Sequence, residues 1–170
     1  MAAYSEPPRA VTRALDLLIG RLCLWVAVMV LAAAFAVVCA QVFARYVLND
    51  SLIWAEELTR FLVVWSTMIG SAAAYRRGEH IGITMVLDKL AGAWRGTVVR
   101  AIHLLVLAFA SMVAWEGWHL TMRNFARNQL APAMQVDIAW AYLALPIGGF
   151  LIALAAAEAL WRGAAPTKEP

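Results

Sequence analysis

Charge is what this chain has least of: 15% of its residues are charged, against 64% hydrophobic. A soluble globular domain carries roughly a quarter charged and about half apolar side chains, so a water-exposed globule is excluded. Cysteine is nearly missing. The two present, Cys23 and Cys39, would lie on one helix about 24 Å apart along its axis, too far to bond to each other or to share a metal. Both read as small apolar packing residues. There is no glycine-rich phosphate loop, no nucleophile elbow and no HExxH zinc motif, which leaves no residues to carry an enzymatic reaction. The net charge of +3 is small, and the basic residues are scattered rather than gathered on one face, so nucleic acid is no partner. Internal repeats and low-complexity blocks are lacking as well, and residues 1–170 read as a single domain.

What fills the chain is long apolar runs. They define an all-α integral membrane protein with four transmembrane helices, expected at about 22–44, 58–75, 98–122 and 138–161. The first run is about twice the length of a signal-peptide core and other spans follow it, so it reads as a span. Asn49-Asp50-Ser51 signals a turn before the second. Pro146 falls in the first third of the fourth, where neighbouring helices can satisfy the freed backbone. Two further segments are periodic but not spanning. Val11, Leu15, Leu18 and Leu22 recur at helical spacing after the Pro7-Pro8 tail, as an N-terminal interfacial amphipathic helix would. Ile83, Leu87, Leu90 and Trp94 do the same, and predict a cytoplasmic interfacial arm over about 80–95 lying on membrane lipid.

Four spans place both termini on one side. Arg9, Arg13, Arg21, Arg76, Arg77, Lys89, Arg95, Arg162 and Lys168 fall on the side of the termini, against Arg45, Arg123 and Arg127 opposite. The positive-inside rule makes the termini and the arm cytoplasmic. The tryptophans agree: Trp54, Trp115, Trp118 and Trp140 mark the outer interface, and Trp25, Trp94 and Trp161 the inner one.

Candidate functional residues sit at the membrane edges. Glu56 or Glu57 can pair with Arg60 at i,i+4 or i,i+3. As a bare ion pair this ends a helix; as a contact point it docks the chain onto another membrane protein. Gly70 heads the small run Gly70-Ser71-Ala72-Ala73-Ala74, which lets another backbone approach closely. Glu116 is the candidate coupling carboxylate of a small autonomous proton-driven exporter, although Trp115, Trp118 and His119 place it near the outer boundary. Haem held by two histidines is the one cofactor to weigh. His103 and His119 are about 24 Å apart along one helix, which leaves only His80 with His103, and histidines bonded to interfacial neighbours are far commoner. No cofactor is therefore expected. Nor do broken, paired spans surround a midplane site, as a complete transporter would require.

These residues resemble the small membrane subunit (DctQ-type) of tripartite ATP-independent periplasmic, or TRAP, transporters. The likeness runs from the first span to Trp161. It is carried by Trp54-x-Glu56-Glu57-x-x-Arg60, Trp65, Gly70, the corner Arg76-Arg77-Gly78-x-His80-Ile81, Asp88, and more weakly by Trp140-x-Tyr142 and Pro146-x-Gly148. The resemblance implies a four-span, non-enzymatic scaffold in a bacterial inner membrane. Its partners would be a large multi-span permease subunit, which holds the sodium and substrate sites, and a periplasmic substrate-binding protein. The cargo would be a dicarboxylate, sialic acid or a similar organic acid. The analogous small subunit of a tricarboxylate system is the neighbouring alternative. Glu56, Glu57 and Arg60 are then the outer end of the subunit interface, with Arg76, Arg77 and His80 as its inner corner.

Overall fold

The computed structural model describes residues 16–77 and 93–162. A π-helical segment, Asp16–Leu22, leads without a break into α1 (Cys23–Tyr46). There follow α2 (Ile53–Arg77), α3 (Ala93–Arg127), a single turn α4 (Ala139–Tyr142) and α5 (Ala144–Arg162). The expected turn after α1 is present, with Asn49 in the left-handed region at φ 53°. Asn tolerates that conformation better than most residues, and it lets the Asp50 amide reach back to Ala44 O at 3.1 Å. Pro146 stands in the first turn of α5, where a missing N–H leaves little unbonded, and the chain jogs at Leu143 just before it.

The helices pack as a row. α1 lies on α2, α2 on α5, and α5 on α3, while the π-helical segment also leans on α2. Small residues fill the seams: Ala27 and Ala34 on α1, Ala72 and Ala73 on α2, Ala110 on α3, Ala155 and Ala156 on α5 are all buried. The large apolar side chains point outward instead, with Trp25 67%, Phe35 71%, Leu105 73% and Phe109 68% exposed. Small inside and large apolar outside reverses the soluble pattern. It is the arrangement in which helices gain close contact while lipid solvates the outer shell.

Three stretches are long and apolar enough to cross a membrane: Ile19–Tyr46, Gly96–Arg127 and Ala139–Trp161. Four were expected, so composition supports one fewer. The difference is α2, which has 25 residues but carries Glu56, Glu57, Arg60, Arg76 and Arg77 near its ends. The arm expected over 80–95 falls largely outside the described residues, as does the first part of the helix expected over Val11–Leu22; its remainder, Asp16–Leu22, is π-helical and runs on into α1. Residues 93–95, which the periodicity groups with the arm, form the first turn of α3.

Candidate functional site

At one end of the row the sequence groups Glu56, Glu57 and Arg60, and the structure divides them. Arg60 takes Glu56 at 2.6 Å, with the two side chains 73% and 64% exposed. Glu57, one residue on, points about 100° away round the helix. Its carboxylate accepts the Ala133 amide at 3.1 Å to each oxygen and the Met134 amide at 2.9 Å. Two successive backbone donors on one carboxylate form charge-assisted bonds, and they pin the loop between α3 and α4 onto α2. That loop is internally braced: Ala131 N donates to Val136 O at 2.8 Å and Gln135 N to Ala131 O at 2.9 Å, with Gln135 at φ 55°. Nearby, Trp65 Nε1 donates to Trp140 O at 3.1 Å, a further tie from α2 to α4. Trp54 stays 44% exposed.

The opposite end holds a residue the sequence reading missed. Glu158, in the last third of α5, is buried and forms an ion pair with Arg76 at the end of α2; both side chains are 6% exposed. A second guanidinium nitrogen, Nη2, reaches Glu158 Oε1 at 3.2 Å. Arg77 turns the other way and donates to Gly20 O in the π-helical segment at 3.4 Å. The Arg76-Arg77 corner thus joins α5 and the π-helical segment to α2. Tyr75 adds α3, its hydroxyl 2.5 Å from His103 Nδ1 with the rings edge to face. The signal that could have found Glu158 is a lone acid in an apolar helix, which lipid tolerates only beside a cation. His80 lies outside the described residues, and Trp94 is a backbone position in the first turn of α3.

Gly70 is partly buried, and a Cβ there would stand 3.6 Å from Ala27 Cβ, an ordinary contact. Tighter seams occur at Gly148, where a Cβ would fall 2.6 Å from Met68 Cβ, and at Gly149, 2.8 Å from Ala114 N. Gly117 of α3 is equally tight, since a Cβ there would fall 2.8 Å from Leu145 Cβ. Close approach is therefore concentrated where α2 and α3 meet α5, although Ala72 and Ala73 of the predicted small run are fully buried. Cys23 is buried and Cys39 exposed, both as free thiols. Glu116 is exposed, and His119 lies edge-on to Trp115 with ring centroids 4.8 Å apart.

Four polar residues are buried among those described: Ser66, Thr121, Asn124 and Glu158. Each is engaged by this chain itself. Ser66 donates to Ala27 O, Thr121 to Gly117 O and Asn124 to Leu120 O, and Glu158 holds Arg76. Ser66 and Glu158 tie neighbouring helices together, while Thr121 and Asn124 bond back onto α3 itself.

Described residues that are helical throughout their long segments, with a largely apolar outer shell, are those of a multi-pass membrane protein. The model of the family described as tripartite ATP-independent periplasmic transporters, DctQ component, matches residues 34–165. The chain belongs to that family, the small permease proteins of TRAP transporters. It is 31% identical over 124 residues to the sialic acid TRAP transporter small permease protein SiaQ of Vibrio cholerae, covering 73% of this chain and 70% of that one. It is 29% identical over 106 residues to the C4-dicarboxylate TRAP transporter small permease protein DctQ of Rhodobacter capsulatus, where the match covers 60% of this chain and 45% of the relative. Against the sialic acid TRAP transporter permease protein SiaT of Haemophilus influenzae, identity is 27% over 128 residues. That match takes in 75% of this chain and only 20% of the relative.

Proposed function

We propose that this chain is the small accessory and scaffold subunit of a sodium-coupled, binding-protein-dependent secondary transporter that imports an organic acid. The observation that carries the reading is the state of the buried polar residues: Ser66, Thr121, Asn124 and Glu158 are each bonded within the chain. The buried Oδ1 of Asp137, which has no hydrogen-bond partner, lies in the loop outside the helices, so cargo and ion sites belong to a partner. The SiaT match supports a large permease subunit as that partner, since a region like this one forms a fifth of a longer permease polypeptide. Sodium coupling and a periplasmic substrate-binding protein follow from the family resemblance. The relatives named for sialic acid and for C4-dicarboxylate make both substrate classes candidates.

In this reading α2 is the fourth span, both termini are cytoplasmic, and the membrane is the bacterial inner one. At 25 residues α2 exceeds what the hydrocarbon core requires, and its charges lie toward the two ends. Its mid-helix hydroxyls are satisfied locally: Thr67 bonds Val63 O at 2.9 Å and Ser71 bonds Thr67 O at 2.7 Å. Trp54, Glu56 and Arg60 form the outer rim of the subunit interface, and Arg77, His80 and the arm through Trp94 its inner anchorage. The autonomous-exporter reading is not favoured, because Glu116 lies on an exposed face rather than in an enclosed cavity. Co-expression of the tagged chain with the large permease subunit of its transporter tests the proposal. A stoichiometric complex that survives detergent extraction is the expected result; a chain that purifies alone from membranes containing both would defeat it.

A further inference from the structure

The exposed shell is not uniform. On α1 and α3 the outward residues include many bulky apolar side chains, among them Trp25, Met29, Phe109 and Met112, beside smaller ones such as Ala33, Ala36 and Ser111. α2 differs. Its exposed positions are Ile53, Trp54 and Arg77 near its two ends and, between them, Glu56, Arg60, Val63, Thr67 and Ser71, the last five on one stripe about 80° wide at 100° per residue. Through the middle of the helix this stripe is narrow: a valine followed by two hydroxyl side chains folded back onto their own carbonyls. Hydrocarbon chains gain nothing from hydroxyls or from an ion pair. A neighbouring helix gains close backbone approach over Thr67 and Ser71 and a polar contact at Glu56–Arg60.

We propose that this stripe is the seam on which a transmembrane helix of the large permease subunit packs, while the outer faces of α1 and α3 are covered by lipid. The inference rests on the accessory-subunit reading and assigns that reading a face. Two independent observations select the occupant. One is the contrast in side-chain size and polarity between this stripe and the outer faces of the flanking helices. The other is the SiaT relationship, in which a region like this chain occupies 20% of a permease whose remaining length must lie beside it. Glu57 and Arg76, turned inward to hold the loop and α5, brace the helix that presents the stripe.

Photo-crosslinking tests the assignment in membranes that contain this chain and the large permease subunit. Benzoylphenylalanine is placed at Val63 or Thr67, and at Phe109 or Met112 for comparison. The expected result is a crosslink to the large subunit from 63 and 67 and none from 109 or 112. Thr67→Trp is expected to lower co-purified large subunit about tenfold or more, whereas Met112→Trp leaves it unchanged. Crosslinks to the large subunit only from 109 or 112, no crosslink from any position, or a crosslink from 67 to a second copy of this chain would each overturn the seam with the partnership intact. Failure of the unsubstituted chain to associate with the large subunit would overturn the accessory reading itself.

Discussion

Neutralising Glu158 removes the buried carboxylate that pairs with the Arg76 guanidinium. Both side chains are 6% exposed, so water neither screens the pair nor easily reaches a survivor. Removing one partner of a buried pair costs about 3–5 kcal/mol, whereas replacing both by apolar residues of similar volume is close to neutral or mildly stabilising. In a chain of this length that single-site loss corresponds to a fall in melting temperature on the order of 10 °C. The assay is thermal unfolding of the purified chain in detergent, followed by tryptophan fluorescence, for Glu158→Leu, Arg76→Met and the double variant that combines the two. Each single substitution is expected to destabilise strongly and the double to recover most of the loss, a coupling that belongs to the pair. Additive losses, or single variants as stable as the parent, would refute the idea that this ion pair fixes α5 against α2.

Other outcomes follow from the same geometry. Glu57→Ala removes charge-assisted bonds to two amides, so hydrogen exchange at Ala133 and Met134 should accelerate about tenfold to a hundredfold by NMR. Gly149→Ala places a methyl 2.8 Å from the Ala114 backbone, whereas Gly70→Ala meets Ala27 at 3.6 Å. The first should cost about 1–3 kcal/mol of stability and the second almost nothing, compared by detergent melting curves. Arg60→Glu breaks a pair that is more than half exposed, so the isolated chain should lose under about 1 kcal/mol. Any larger effect on recovery of the large subunit would then arise at the interface.

The helical architecture was legible because lipid imposes it: apolar runs of spanning length have one available backbone solution. Local features read well too. The Glu56–Arg60 pair is an i,i+4 contact, and Asn49 marks a turn whose backbone needs a residue tolerant of positive φ. What stayed hidden was long-range. Glu57 finds its partners 76 and 77 residues away, in the backbone of a loop, and no periodicity announces a carboxylate meeting two amides. Arg76 and Glu158 are 82 residues apart, and their pairing depends on α5 lying against α2, an adjacency that helix order along the chain does not state. Gly70 attracted notice by its small neighbours, yet the tightest seams fall at Gly117, Gly148 and Gly149, because crowding is a property of the neighbouring helix. The expectation of four apolar spans met α2, whose end charges reduce its hydropathy while its length remains sufficient to span.

In the role proposed for it, this chain braces a permease and carries no cargo of its own. Substrate uptake into proteoliposomes under an inward sodium gradient tests it most directly, comparing the chain alone, the large subunit alone, and both together with the periplasmic binding protein. Flux is expected only when both membrane subunits and the binding protein are present. Gradient-driven flux through vesicles holding this chain alone would contradict it.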